Sequence, residues 1–356
     1  MESIATKNLT YGLHVFFNAK TIGSDFNAFD GAAQAPTMIK TPEGISVTKI
    51  DAATLQEILA LADARTPEVV AWHNAHAGNG VVIRVPAGHI YEEPIRIDTA
   101  LAEKHRVENI VIFAEQGSEV RVIEHLSSAA YSDTATRSAV TSIVAAPHAK
   151  VTHISVQNFG ENVTDFSMKH ARVATDATVN WVECIFGSDF AQSRVTTQLD
   201  GVGASSRVMA MWFGSGKQKF DLRHEVRHLA SRTNSNIVTR GALDGQSKTI
   251  YRGLVRIENG TIGCSGHQKE HTLMLSPDAE IDAMPDLEIA ANDVRCGHSA
   301  AAGKLNPEKL FYLMSRGFEE SEARKMLIEG FFAPIVADMR DAGLEDMVNC
   351  LIANRL

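Results

Sequence analysis

The sequence predicts a mainly β protein, with a core of stacked coils between an N-terminal and a C-terminal helical region. The first observation is a repeated strand opening, in which small or polar residues precede a β-branched residue. The openings fall at Val120, Val151, Val179, Val208 and Ile237, so successive ones are 28 to 31 residues apart. This spacing is typical of stacked-repeat architectures. The second observation is that no segment with helical periodicity interrupts the series, which argues against βαβ units.

The N-terminal region, residues 1–79, is predicted to be mixed in structure. Residues 11–17 fit a short strand. Farther along, apolar residues recur at helical spacing in a first helix, and Pro67 favours the start of a second one. The apolar positions of the first helix are Leu55, Ile58, Leu59 and Leu61. We therefore expect two short helices ahead of the β core.

The β core is predicted to span residues 80–305. It opens with an apolar run at residues 81–83, and short strands follow at even spacing. Two architectures fit this pattern: an antiparallel sandwich, and a β-solenoid in which each coil stacks on the last. The even spacing and the length of the series favour the solenoid.

The C-terminal region, residues 306–356, is predicted to be helical. Asn306 and Pro307 are a suitable N-cap and first-turn residue, and Gly317 is suited to a left-handed cap at the end of the same helix. A second helix carries an apolar stripe at Ala323, Met326, Leu327, Gly330 and Phe331. Residues 344–351 fit a third helix. This region is too small for a large core of its own, so its apolar faces must pack on the β core or on a partner.

The charge and the cysteine content narrow the choice of partners and compartment. The formal net charge of -9 argues against nucleic acid or an anionic membrane as the main partner. No apolar run approaches the roughly 20 residues that span a bilayer. Four widely spaced cysteines suit free thiols in a reducing compartment, so we expect a cytoplasmic protein. No phosphate-binding GxxxxGK[ST] motif is present, so we expect that this chain binds no nucleotide.

One apparent metal motif is not expected to bind metal. The segment from His224 to His228 matches the HExxH signature of zinc proteases, which works only on a helix. Here Phe220, Leu222 and Val226 alternate with charged residues, which predicts a strand. Two histidines four residues apart on a strand are separated by about 13 Å and cannot bind one ion.

A second cysteine-histidine cluster is the better candidate site. Cys296 and His298 are two residues apart and share one face of an extended segment, which suits a soft-metal site or a thiol-imidazole pair. Upstream, Cys264 and Glu270 belong to a segment that also contains two histidines. The two clusters are about one repeat apart, so a solenoid would bring them onto adjacent coils. The alternative is a small buried cysteine next to a surface histidine.

Several ordered motifs resemble the SufB/SufD family of iron-sulfur cluster assembly scaffold proteins. They include GALDG at residues 241–245, DVRCGH at residues 293–298 and LFYLMSRG at residues 310–317. The resemblance is strong over residues 220–332 and loose over residues 80–220. It implies a right-handed parallel β-helix with helical regions at both ends, which agrees with the solenoid prediction.

The resemblance also implies a function and partners. It implies a non-catalytic scaffold that binds a SufC-type ABC ATPase through its C-terminal helices. The docking residues would be Leu310, Phe311, Arg316, Ala323, Leu327 and Phe331. It further implies pairing with a second SufB- or SufD-type scaffold, so that a transient iron-sulfur cluster forms at the interface.

In the resemblance, His298 occupies a position typical of the SufD-type subunit. Counting back about 28 residues from His298 reaches Glu270, where a SufB-type chain would need a cysteine. The chain could therefore be SufD-like, or a single scaffold that pairs with itself. Cys264, Glu270, Cys296 and His298 are the candidate ligands for iron.

Two other functions fit a β-solenoid. One is an enzyme acting on polysaccharide, which would need clustered carboxylates in a groove. The other is a structural interaction module whose cysteine and histidine bind no metal.

Overall fold

The computed structural model describes residues 38–60, 67–77, 80–128 and 134–356. The strand predicted at residues 11–17 lies outside these ranges. The strands are β1 Met38–Lys40, β2 Ser46–Lys49, β3 Val81–Val85, β4 Ile95–Leu101, β5 His105–Ala114, β6 Glu119–Ser128, β7 Ala135–Ala145, β8 Lys150–Asn158, β9 Val163–Val173, β10 Thr178–Ile185, β11 Phe190–Leu199, β12 Ser205–Gly214, β13 Lys219–His228, β14 Asn234–Leu243, β15 Lys248–Ile257, β16 Cys264–Met274, β17 Glu280–Ile289 and β18 Val294–Gly303. The helices are α1 Ala52–Ala60, α2 Pro67–His76, α3 Pro307–Ser315, α4 Glu320–Val336 and α5 Ala342–Ala353, with a 3₁₀ turn at Ala337–Met339.

The strands form two sheets that share the coils between them. Sheet A has the order β1-β4-β6-β8-β10-β12-β14-β16-β18, and sheet B the order β2-β3-β5-β7-β9-β11-β13-β15-β17. All pairs from β3 and β4 onward are parallel, whereas β1 and β2 join antiparallel at the N-terminal end. Because successive strands alternate between the sheets, the chain winds as a β-solenoid of about eight turns. The solenoid prediction is confirmed, and the antiparallel sandwich is wrong.

The repeated strand openings lie on successive coils of sheet A. Val120 pairs with Val151, which pairs with Val179, and farther along Val208 pairs with Ile237. Val179 itself pairs with Ser206, so the pattern shifts by two residues there. Side chains at these positions face the interior and build the main apolar core between the sheets. Each fully buried side chain of this kind contributes roughly 1.5–3 kcal/mol to folding.

The C-terminal helices cover the outer face of sheet A. Phe332, Ile335 and Ile352 are fully buried against apolar residues of that face, among them Cys184. Arginines on the sheet fasten the helical layer at its rim, where Arg207 pairs with Asp338. The apolar stripe predicted in the C-terminal region thus finds its partner on the solenoid.

The N-terminal helices pack on the outer face of sheet B. The imidazole of His73 on α2 is fully buried and bonds Ser138 and Asn109 of the sheet through its two ring nitrogens, at 2.9 and 3.0 Å. Burial lowers the pKa of His73 to about 4, so the ring is neutral at pH 7. Helices therefore flank the solenoid on opposite faces.

Candidate functional site

The last coil of the solenoid is open on one side. β17 pairs only with β15, and β18 pairs only with β16, so both strands are sheet edges within the described part of the chain. No further coil covers their inner face, and several side chains that point along the solenoid axis are exposed there, including His298 and Ala300. Because edge strands present unpaired backbone N–H and C=O groups, this end is prepared for another strand or another chain.

The two strands β16 and β18 carry all four predicted ligands on the same inner face. Gly266 pairs with Cys296, Gln268 with His298, and Glu270 with Ala300. His298 is therefore opposite Gln268, and the expectation that Glu270 lies one coil behind His298 is wrong. The step between these coils is 30 residues because the turns differ in length from coil to coil, and a uniform 28-residue count misses this.

Cys264 and Cys296 lie diagonally on adjacent strands. Cys264 pairs with Val294, two residues before Cys296, which places their Cα atoms about 8 Å apart. The Cys264 thiol is 1% exposed; it accepts from the Thr233 hydroxyl at 3.3 Å and donates to the Ala230 carbonyl at 3.4 Å. This thiol is thus a packed core group, which is the alternative that the sequence left open for cysteine.

Cys296 is the more accessible of the two thiols. Its side chain is half-buried at the edge of the interior core. Burial raises the pKa of Cys296, and the backbone N–H of Gly266 acts in the opposite direction by bonding the sulfur. The thiol form therefore dominates at neutral pH, and a bound cation would be needed to make it a thiolate.

Glu270 is the acidic member of the set and is only 2% exposed. Burial raises the pKa of Glu270 to about 7, while bonds from the Thr272 hydroxyl and the Ala301 backbone N–H work against the rise. The Thr272 bond measures 2.5 Å. A carboxyl with a pKa near neutrality can hold or release a proton under physiological conditions.

The four residues do not converge on one point within a single chain. Cys264 and Glu270 are six residues apart on β16, which corresponds to about 20 Å along an extended strand. Among the described residues no three His, Cys, Asp or Glu side chains are grouped closely enough for a metal ion. What the structure brings together are pairs: Cys264 with Cys296, Cys296 with His298, and His298 with Glu270.

Comparison with known proteins bears on the family of this chain. The family model described as "SUF system FeS cluster assembly, SufBD core domain" matches residues 97–331. The chain belongs to the SufBD family. The recognition drawn from the sequence motifs is confirmed.

Curated relatives carry the same family name. A SufBD family protein of Mycobacterium leprae is 34% identical over 270 residues, covering 73% of this chain and 31% of that protein. The iron-sulfur cluster assembly protein SufD of Bacillus subtilis is 28% identical over 297 residues, covering 81% of this chain and 67% of that protein. The SufBD chain studied here thus spans about a third of the length of the mycobacterial relative.

The C-terminal helices of this SufBD protein present two different faces. On α3, Phe311 is 72% exposed and Tyr312 is 55% exposed, and no residue of that helix is buried. On α4, Ala323 is fully buried, and Phe331 packs against His271 and the Arg240 guanidinium of the solenoid. Of the six predicted docking residues, Phe311 and Arg316 are fully on the surface, and Leu310 and Leu327 are half-buried. Sequence reasoning missed Tyr312, whose ring the Arg316 side chain covers.

The HExxH segment of the SufBD chain lies on strand β13, as predicted. His224 and His228 are both fully buried and point into the solenoid. His224 bonds Glu183 at 3.1 Å, and His228 bonds Thr233 and Ser235 at 2.7 and 2.8 Å. The two imidazoles serve separate hydrogen-bond networks, so the segment binds no shared ion.

Sequence reasoning also missed a buried charged network inside the solenoid. The Arg137 guanidinium bonds Glu108 at 2.7 Å and Asp165 at 3.0 Å, and the Lys169 ammonium bonds Glu183 at 2.7 Å. The available signal was a charged residue at an inward position of an otherwise apolar strand. In the described residues, no helix has the length and apolar character needed to cross a bilayer.

Proposed function

We propose that this SufBD protein is a non-catalytic scaffold of a SUF-type iron-sulfur assembly complex in the cytoplasm. The observation that carries the proposal is the open last coil, which offers Cys296 and His298 on an uncovered inner face between two free sheet edges. Thiolate, imidazole and carboxylate are all ligands that iron accepts. The iron and sulfide are cargo, held while a cluster forms and then passed on.

A second scaffold completes the site in this proposal. One chain supplies only pairs of ligands, so two last coils must meet before a cluster is held by three or four groups. β17 and β18 each have ten residues and unpaired edges, which suits strand addition between chains. A two-fold arrangement would place Cys296, His298 and Glu270 of both chains near one axis. The partner is a copy of this chain or a SufB- or SufD-type scaffold.

The exposed face of α3 is the proposed docking site for a SufC-like ABC ATPase. Phe311 and Tyr312 form an apolar surface that nothing in the described chain covers. Only residues 304–306 separate β18 from α3. A partner that binds α3 and moves during ATP hydrolysis would therefore act directly on the strand that holds Cys296 and His298. In this scheme residues 1–79, 80–305 and 306–356 are the N-terminal region, the β-helix core and the docking region.

Anaerobic reconstitution tests the site. The complex of this chain with its ATPase is treated with iron and sulfide, and bound cluster is measured by visible absorption and iron analysis. We expect Cys296→Ser to lose most of the cluster. The matched control is Cys350→Ser, because Cys350 is exposed on α5, away from the last coil. Equal cluster content in both variants would remove Cys296 from the site.

A further inference from the structure

The interior of the solenoid contains a group of polar side chains that lack partners. Seven buried atoms on the inner faces of β12 to β16 have no hydrogen-bond partner among the described residues. They are His224 Nδ1, Trp212 Nε1, Thr239 Oγ1, Thr249 Oγ1, Tyr251 Oη, Gln268 Oε1 and Glu270 Oε2. We call these residues the axial polar cluster. Native proteins leave only a few such atoms per hundred residues unsatisfied, so seven within three coils require an explanation.

The cluster is contiguous and centres on Tyr251. The Tyr251 ring stacks on Trp212 and contacts His224, with centroid distances of 5.7 Å in both cases. A Cβ on Gly253 would lie 2.1 Å from Gln268 Oε1 and 3.0 Å from Tyr251 Oη, so both oxygens approach the same point of the backbone. Burial raises the pKa of Tyr251, and the Thr239 side chain acts in the opposite direction, which places Thr239 beside the phenol.

The same interior is incompletely filled one coil toward the N-terminus. A cavity of about 10 Å³ lies there, and its polar lining includes Lys169, Glu183 and Ser193. This is about the volume that one water molecule needs when polar groups surround it. Glu183 connects this cavity to the axial polar cluster through its bond to His224 Nε2.

The chemistry of the cluster favours water over an anion. The Trp212 indole N–H can only donate, and Gln268 Oε1 can only accept. The hydroxyls of Thr239, Thr249 and Tyr251 can do both. Water satisfies such a mixture because it donates and accepts, whereas the Glu270 carboxyl would repel an anion whenever it is ionised.

We propose that the solenoid interior holds a chain of ordered water molecules, from the cavity beside Lys169 and Glu183 through the axial polar cluster to Glu270. Beyond Glu270 the next inward residue is Ala300, which is small and exposed on the last coil. The chain therefore reaches bulk solvent at the open end. It gives protons a route along the axis of the solenoid to the buried His224 imidazole.

Hydrogen exchange of the indole protons tests the proposal in the intact chain. Trp212 and Trp181 are both at most 1% exposed, but Trp181 Nε1 donates to Thr197 Oγ1 at 3.0 Å. With ¹⁵N-labelled tryptophan, we expect the Trp212 indole proton to exchange with deuterium about tenfold or more faster than that of Trp181. Equal protection of both protons would overturn the water chain.

A stability measurement gives an independent sign. If water satisfies Thr249, then Thr249→Val removes a hydrogen bond and lowers Tm. If the cluster is dry, the same change removes an unsatisfied hydroxyl, and Tm is unchanged or rises. Thr197→Val is the control, because it removes the partner of Trp181 and lowers Tm in either case. An unchanged or raised Tm for Thr249→Val, or a bromide peak in the cluster in crystals grown with bromide, would overturn the proposal.

Discussion

The middle coils and the last coil of the solenoid treat polar side chains in opposite ways. In the middle coils charged groups are buried and paired, as Arg137 is with Glu108 and Asp165. In the last coil Cys296 and His298 are partly or fully exposed, and no ion pair involving either is found among the described residues. Paired buried charges serve the fold, because each would be costly alone. Exposed ligand-type residues on an uncovered inner face are free to serve a partner or a metal.

The electrostatics of the middle coils show how tight this pairing is. Burial raises the pKa of Glu108, but the guanidinium groups of Arg137 and Arg106 outweigh it and the net shift is downward. Burial likewise raises the pKa of Glu183, yet the Lys169 ammonium reverses the shift. Burial raises the pKa of Glu124 and Asp165, so these carboxyls are the places where the network can hold a proton.

The largest expected effect comes from breaking the buried network. Arg137→Met leaves Glu108 and Asp165 without their main counterion, and we expect the free energy of unfolding to fall by about 3–5 kcal/mol. Urea denaturation followed by circular dichroism measures it. Arg172→Met is the control, because Arg172 pairs with Asp200 on the surface and its loss costs at most about 1 kcal/mol. Equal losses would show that the interior charges are not specially stabilising.

The next effect is a pH dependence from His73. The folded-state pKa is about 4 and the unfolded value 6.5, so the unfolded chain binds more protons between these values. The contribution to stability is present above pH 6.5 and is lost as the pH falls toward 4, by roughly 3 kcal/mol in total. The groups facing the ring are Ser138, Asn109, His76 and Arg137.

Urea denaturation between pH 7 and pH 4 tests this dependence. We expect His73→Gln to be less stable at pH 7 but to lose less stability on acidification than the parent. Parallel pH profiles for the two proteins would exclude His73 as the source.

The smallest effect on stability is expected in the last coil. His298 is exposed, so His298→Ala should change the free energy of unfolding by no more than about 0.5 kcal/mol. The same variant should reduce the cluster bound by the complex with the ATPase. A stability loss comparable to that of Arg137→Met would mean that His298 is a structural residue and would remove the contrast between the two regions.

The helical layer offers a matched pair of phenylalanines. Phe332 on α4 is fully buried against the solenoid, whereas Phe311 on α3 is on the surface. We expect Phe311→Ala to leave Tm nearly unchanged and to weaken ATPase binding in a pull-down or calorimetric titration. Phe332→Ala should lower the free energy of unfolding by about 3–5 kcal/mol. Unchanged ATPase affinity for Phe311→Ala would place the docking surface elsewhere.

The sequence alone determined the architecture, since β-branched residues at 28 to 31-residue spacing can bury their side chains only by stacking coil on coil. It also determined the helix that begins at Asn306 and ends at Gly317, because capping acts locally: the Asn306 side chain accepts from the N–H groups of Glu308 and Lys309, and Gly317 has φ +98°. The motifs determined the family for the same reason, as they are continuous in the chain.

Only the tertiary structure decided which residues face one another across coils. Whether His298 is opposite Gln268 or Glu270 depends on turn lengths summed over a whole coil, and no local pattern encodes that sum. The pairing of Arg137 with carboxylates 28 and 29 residues away was hidden in the same way. Local residue chemistry specifies each strand, but register between strands comes from the closed path of the chain.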